Sequence, residues 1–288
     1  MSVQQLQVGD IVVRKSYQED LLFRIVEIDQ ENQFVLLRGI EFRLCADAPI
    51  DDIIKLDEEE AQRRLKKNET RELESLRLIF QDRDVINEKN IWKMVNHTKE
   101  VGGSFDWPGK VLHLDGDAKY LEKCITFYKE LKIPVDGYHL AESEFPEKIL
   151  PLLHKHRPDI LVITGHDALQ VKRGPTNDIN SYRNSKYFIQ AVEKARTFEL
   201  GKDNLVIFAG ACQSYFEAII AAGANFASSP KRINIHTLDP VYVVEKIAYT
   251  PIMQSVNVFE MIKNTITGID GIGGLETRGC FRIGLPKI

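Results

Sequence analysis

The run "DILVITGHD", residues 159–167, decides the fold. Ile160 to Ile163 form a short, β-branched apolar stretch bounded by polar residues, which is the pattern of a strand buried on both faces. The run stops abruptly in Thr164-Gly165-His166-Asp167. Burial gives no reason for an imidazole at that point. Either His166 closes the strand as a polar cap, or the strand presents it.

The pattern repeats on both sides. "KVLHLDGD" (110–117) reads as a strand, "AKYLEKCITFYKEL" (118–131) has helical period, and "VDGYHL" (135–140) is a second strand followed by the helical "ESEFPEKILPLLHKHRP" (142–158). After the central run come a polar loop (170–184) and the helix "SKYFIQAVEKARTFE" (185–199). The strand "NLVIFAGACQS" (204–214) and the helix "YFEAIIAAG" (215–223) follow. "NFASS" (225–229) and "INIHTL" (233–238) are weaker strand candidates, helices are expected near 240–249 and 256–266, and the tail 271–286 suggests an edge hairpin. Alternating strands and helices predict an α/β fold, a mostly parallel sheet with helices on both faces. Ligands bind such sheets at the carboxyl ends of the strands. Three of those ends are polar here: "LDGD", "TGHD" and "GACQS".

The N-terminal part differs. "GDIVVRKS", "LLFRIVEID", "QFVLLRGIEFRLCA" and "DDIIKL" are short strands separated by polar turns, the signature of a small SH3-like β-barrel over residues 1–56. Residues 57–100 mix both charge signs, with Leu65, Leu73, Leu76 and Ile79 at helical spacing, and read as a helical connector. The glycine-rich stretch 97–110 marks the entry to the α/β domain, 101–288.

Bulk properties narrow the function. The 288 residues carry a net charge of −4, which argues against a nucleic-acid footprint. No stretch of 18 apolar residues and no signal peptide stands out, so a cytoplasmic location is expected. The cysteines at 45, 124, 212 and 280 form no CxxC pair, so neither a zinc site nor a disulfide framework is expected, and no metal or cofactor is called for. GxSxG, GxGxxG and GxxxxGK[ST] are all missing, which removes the serine-hydrolase and nucleotide readings.

His166 and Cys212 end successive strands and can project over one sheet edge. A histidine beside a cysteine takes its proton or stabilises its thiolate. A helix expected directly after Cys212 would favour an anion there. Gly165, Gly210 and Ala211 leave room for a substrate backbone, and the N–H groups at Gly165 and Cys212 are candidates for holding an oxyanion. Cys45, Cys124 and Cys280 occupy the β module, a helix and the tail. His113 sits mid-strand, His139 is a second choice of base, His154 and His156 end a helix facing solvent, and His236 could line the cleft.

A Gly-flanked histidine at a strand end, followed 46 residues later by Ala-Cys-x-Ser at the next, resembles the caspase, legumain and gingipain clan of cysteine peptidases. Over the whole chain, "VGDIVVRKSYQEDLLFRIVEI", "VLHLDGDAKYLEKC", "PDILVITGHDAL" and "FAGACQSYFEAIIAAGANFASSP" resemble the YabG family of sporulation-specific proteases. That resemblance implies a caspase-like cysteine peptidase with His166 as base and Cys212 as nucleophile. It implies cleavage of spore coat and cortex-associated proteins after basic residues, self-processing, and action in the mother cell at the forming coat. The clan pattern has glycine after the histidine, where this chain has Asp167, and an acid two positions before the cysteine, where it has Gly210. A basic substrate side chain needs a carboxylate, and Asp115, Asp117 and Asp167 are the candidates. The alternatives are a Cys amidase or acyltransferase, whose usual GxCxG elbow and downstream histidine this chain lacks, and a non-enzymatic spore-assembly scaffold. The polar loop with Lys172, Arg173 and Arg183 reads as a lid, a self-cleavage site or a surface loop.

Overall fold

The computed structural model describes residues 6–95, 105–170 and 174–284, and for residues 84–95 the backbone alone. The chain divides into two compact units, 1–74 and 75–288.

In the first unit five strands form an antiparallel sheet: β1 (Ile11–Arg14), β2 (Phe23–Asp29), β3 (Phe34–Gly39), β4 (Cys45–Pro49) and β5 (Ile53–Lys55), in the order β4-β3-β2-β1-β5. Alternation along β2 buries Phe23 and Ile25 while Arg24 faces water. These side chains meet Val12, Val35, Leu37 and Ala48 in one small apolar core. The charged connector is a single helix, α1 (Glu58–Val95), running through the division. Asp57 starts it by accepting the Glu60 N–H at 2.8 Å, and three glutamates in the first turn suit its positive end.

The second unit contains β6 (Phe105–Trp107), β7 (Val111–Asp115), α2 (Ala118–Glu130), β8 (Val135–His139), α3 (Phe145–His156), β9 (Ile160–Thr164), α4 (Ser185–Phe198) and β10 (Val206–Ala209). It continues with α5 (Phe216–Ala221), β11 (Phe226–Ser228), α6 (Asp239–Tyr249), α7 (Val258–Lys263), β12 (Ile272–Gly274) and β13 (Arg282–Gly284). Six strands form one sheet in the order β12-β11-β10-β9-β7-β8. Neighbours from β8 to β11 are parallel and β12 runs antiparallel to β11.

The sheet splits the interior in two. Ile160 and Val162 of β9, with Val206 and Phe208 of β10, face a core completed by α2, α6, α7 and the Leu76–Ile79 turn of α1. Leu161, Ile163, Ile207 and Ala209 face the other, completed by α3, α4 and α5. Period-two alternation in a run apolar on both faces therefore feeds two cores at once. The chain crosses from β8, on one side of β7, to β9 on the other, so the sheet changes direction between β7 and β9.

Three expectations change. "INIHTL" makes no strand; it ends in a turn leading into α6 and is touched by the Cys212 loop. The tail forms no hairpin: β12 edges the main sheet, and β13 pairs with β6 in a separate ribbon. The helix after Cys212 starts at Phe216 and has six residues, so its dipole adds little at the sulfur. Of the glycine-rich boundary, residues 97–104 lie outside the described residues. Among the described residues, no helix is long and apolar enough to cross a membrane.

Candidate active site

The carboxyl ends of β7, β9 and β10 supply the site. Parallel pairing sets Ile163 beside Ala209. Counting three residues onward along each strand reaches His166 and Cys212, so both follow the same edge of the sheet. Just past β10, Gly210 takes φ +114°, a conformation open to glycine and strained for other residues.

His166 is held from the side where the sheet changes direction. Its backbone N–H donates to Glu142 Oε1 at 2.7 Å, and its ring Nδ1 lies 3.3 Å from the same oxygen. Its Nε2 lies 3.6 Å from Asp117 Oδ2, and Tyr120 packs against the ring at a centroid distance of 5.9 Å. The imidazole retains 20% exposure. Carboxylates at both nitrogens stabilise the imidazolium that forms when the ring takes up a proton.

Glu142 follows β8, in a short 3-10 turn that Glu144 closes by accepting the Ala141 N–H at 3.0 Å. A side-chain carbon at Gly116 or at Gly165 would collide with the Glu142 carboxyl. The space that Gly165 leaves is thus occupied by Glu142. Burial pushes this carboxyl up, but its hydrogen bonds to the His166 side chain and backbone more than offset that, so it sits below its ordinary value.

Cys212 is completely buried. Its sulfur receives the Ile235 N–H at 3.3 Å, and the Ile235 carbonyl lies 3.9 Å away. An N–H aimed at sulfur stabilises a thiolate. The four cysteines form no disulfide among themselves. Burial, aided by the Asp159 charge, pushes the Cys280 thiol up to about 12, which leaves it inert at ordinary pH.

The three pocket candidates take different roles. Asp115 is fully buried and accepts the Thr164 hydroxyl at 2.9 Å and the Asp117 N–H at 2.9 Å. Asp117 caps α2, its Oδ1 accepting the Lys119 and Tyr120 N–H groups at 2.8 and 3.3 Å while Oδ2 faces His166. Asp167, nearly buried, accepts from the Ala168 and Asn184 N–H groups and from the Ser185 and Ser214 hydroxyls. Burial pushes its carboxyl above the ordinary range, and those hydrogen bonds offset part of the rise.

The remaining histidines sit elsewhere. His113 is buried against Thr164 at 2.8 Å, and His139 is exposed at the edge strand. His156 is half-buried rather than solvent-facing, bonded to Asp136 and to Tyr138, each at 2.7 Å. His236 is buried, its Nδ1 accepting the Leu238 N–H at 3.2 Å. A groove of about 500 Å³ lined by His154, Arg157, Phe198 and Asn204 lies at the amino ends of β9 and β10, opposite these residues.

Sequence reading missed Glu142, because "ESEFPEK" was absorbed into a helix. The available signal was position: an acid just past the end of a strand bordering the point where the sheet changes direction.

A family model described as YabG peptidase U57 matches residues 7–286. The chain is similar, at 50% identity over 285 residues and 98% of each sequence, to the sporulation-specific protease YabG of Bacillus subtilis (strain 168). No solved structure matches it. Matched from end to end, with its polar residues gathered at the carboxyl edge of a parallel sheet, the chain belongs to the YabG peptidase U57 family.

Proposed function

We propose that this peptidase is a cysteine endopeptidase acting in sporulation, with Cys212 as nucleophile and His166 as acid–base. The observation that carries the reading is the matched placement of His166 and Cys212, each three residues beyond the paired positions Ile163 and Ala209.

The Cys212 thiolate attacks the scissile carbonyl, and the oxyanion is met by N–H groups at the strand ends, those of Cys212 and Gly165 being the candidates. His166 gives a proton to the leaving amine, which departs and leaves an acyl-enzyme. Water then attacks the thioester, His166 takes its proton, and the acid product and thiolate are released. Glu142 orients the ring through Nδ1 and stabilises its charged form. The Ile235 backbone covers the sulfur here, so peptide entry must draw residues 233–238 aside.

Carboxylates gathered at the strand ends suit a basic residue before the cleaved bond. Asp115, Asp117 and Asp167 are the candidate carboxylates for that side chain, and Asp117, whose Oδ2 lies 3.6 Å from the ring of the proposed base, is placed first among them. In this reading the second unit has a caspase-like topology, and the N-terminal sheet is an SH3-like docking module. The substrates are coat and cortex-associated proteins of the forming spore, met in the mother cell. Self-cleavage in the loop before α4 fits the same specificity. Arg183 is placed there, and Lys172 and Arg173 lie outside the described residues.

The test compares wild type, Cys212→Ala and His166→Ala on a protein substrate rich in Arg-x bonds. Both variants should lose at least about 10³-fold in kcat while keeping the wild-type melting temperature. Equal cleavage by all three would leave a scaffold role instead.

A further inference from the structure

Asp167 stands where the wider clan pattern has glycine, and the proposed mechanism gives it no step. Its carboxylate is nonetheless the end point of two hydrogen-bonded arms. In the first, the Ala211 N–H donates to Ser214 Oγ at 2.9 Å, and the Ser214 hydroxyl donates to Asp167 Oδ2 at 3.1 Å. In the second, the Tyr215 N–H donates to Ser185 Oγ at 2.8 Å, and the Ser185 hydroxyl donates to the same Oδ2. One arm holds the chain before Cys212 and the other holds it after.

The second oxygen is tied to the His166 side. Asp167 Oδ1 accepts the Asn184 N–H at 2.7 Å, and the Asn184 amide donates to the His166 carbonyl at 2.8 Å. A further link runs from the Leu169 N–H to Gln213 Oε1 at 3.1 Å. Past their strands neither loop has helix or strand, and Gln213 takes φ +56°. Strand pairing ends before either loop, so it cannot set their spacing.

We propose that Asp167 is a positioning residue of this peptidase, whose carboxylate fixes the Cys212 loop relative to His166 through Ser214 and Ser185. A glycine at this place would supply no acceptor, and the hydroxyls would lose their common anchor. A near-attack geometry tolerates little error, since a displacement of about 1 Å costs on the order of 10²-fold in rate. The inference rests on the Cys212–His166 reading.

The experiment measures kcat and KM for an Arg-containing peptide, and the rate at which iodoacetamide alkylates Cys212 followed by mass of that peptide. The chains are wild type, Asp167→Asn, Ser214→Ala, the double variant and Cys212→Ala. Asparagine keeps the size but replaces one acceptor oxygen with a donor. Asp167→Asn should lower kcat on the order of 10²-fold and slow alkylation, with KM nearly unchanged. Ser214→Ala should cost about tenfold, and the double variant should be no worse than Asp167→Asn alone, because the Ser214 arm is already lost in Asp167→Asn.

A kcat within about twofold of wild type in folded Asp167→Asn, with loss confined to melting temperature, would make Asp167 merely structural and overturn the proposal. Multiplying effects in the double variant would overturn coupling through Ser214. Where Asp167→Asn does not fold, Ser214→Ala and Ser185→Ala decide, and unchanged kcat in both overturns the proposal. Full cleavage by Cys212→Ala would remove the cysteine-peptidase reading and this inference with it. Loss in Cys212→Ala beside an active, normally alkylated Asp167→Asn would remove the inference alone.

Discussion

The interior of the main sheet and its carboxyl edge are built from the same strands by different rules. Along β7, Val111, Leu112 and Leu114 are wholly buried and held by apolar neighbours on two faces. One step further, Asp115, Gly116 and Asp117 are held by named hydrogen bonds from Thr164, by the space Glu142 needs, and by the first turn of α2. The interior is non-directional and additive, so many apolar sequences would build it. The edge is directional: Asp115, Asp117 and Asp167 each accept from named donors there. Changes in the interior should therefore alter how much protein is folded, and changes at the edge what the folded protein does.

The largest expected contrast comes from Phe208→Ala. This side chain is fully buried in the core shared with α6, and truncation should cost about 3–5 kcal/mol by lost transfer energy and a residual cavity. Denaturant titration measures the loss, while kcat per titrated active site should stay within about twofold of wild type. A large fall in kcat for the folded fraction would break the division between interior and edge.

A smaller effect tests the edge for selectivity. Asp117→Asn preserves the α2 cap, because asparagine caps as well as aspartate, so stability should hold. Losing the charge beside His166 should lower the preference for Arg over an uncharged residue by about 2 kcal/mol, roughly 30-fold, in competing kcat/KM values. Unchanged preference with intact folding would reassign the pocket acid.

The same division explains what could be read from sequence. Strands β7, β9 and β10 announce themselves as β-branched runs, and their alternation with helices implies parallel pairing. His166 and Cys212 stand out as candidates in the sequence because each interrupts an apolar run at its end. Glu142 was not, since its partner His166 lies 24 positions away and its own neighbourhood looks like a helix start. "INIHTL" has strand composition but forms no strand, because β12, from the tail, takes the place beside β11. Asp167 was visible as an odd residue, but its four donors come from three segments, and proximity of that kind exists only after folding.

Glu142→Gln should give the smallest of these effects and locates the edge's electrostatics. Glutamine can still accept the His166 N–H but carries no charge, so the imidazolium loses one of two stabilising anions. The limb of the pH–rate profile that reports His166 should move down, with kcat falling about tenfold. Stability carries a separate sign. The folded Glu142 carboxyl sits below its ordinary value of 4.5, so its contribution is complete above that pH and is lost as pH falls through the lowered folded value. Wild type and Glu142→Gln should therefore differ most at neutral pH and converge on strong acidification. A constant gap across that range would mean that the Glu142 charge does not act on His166, and that the carboxyl merely fills the space beside Gly116 and Gly165.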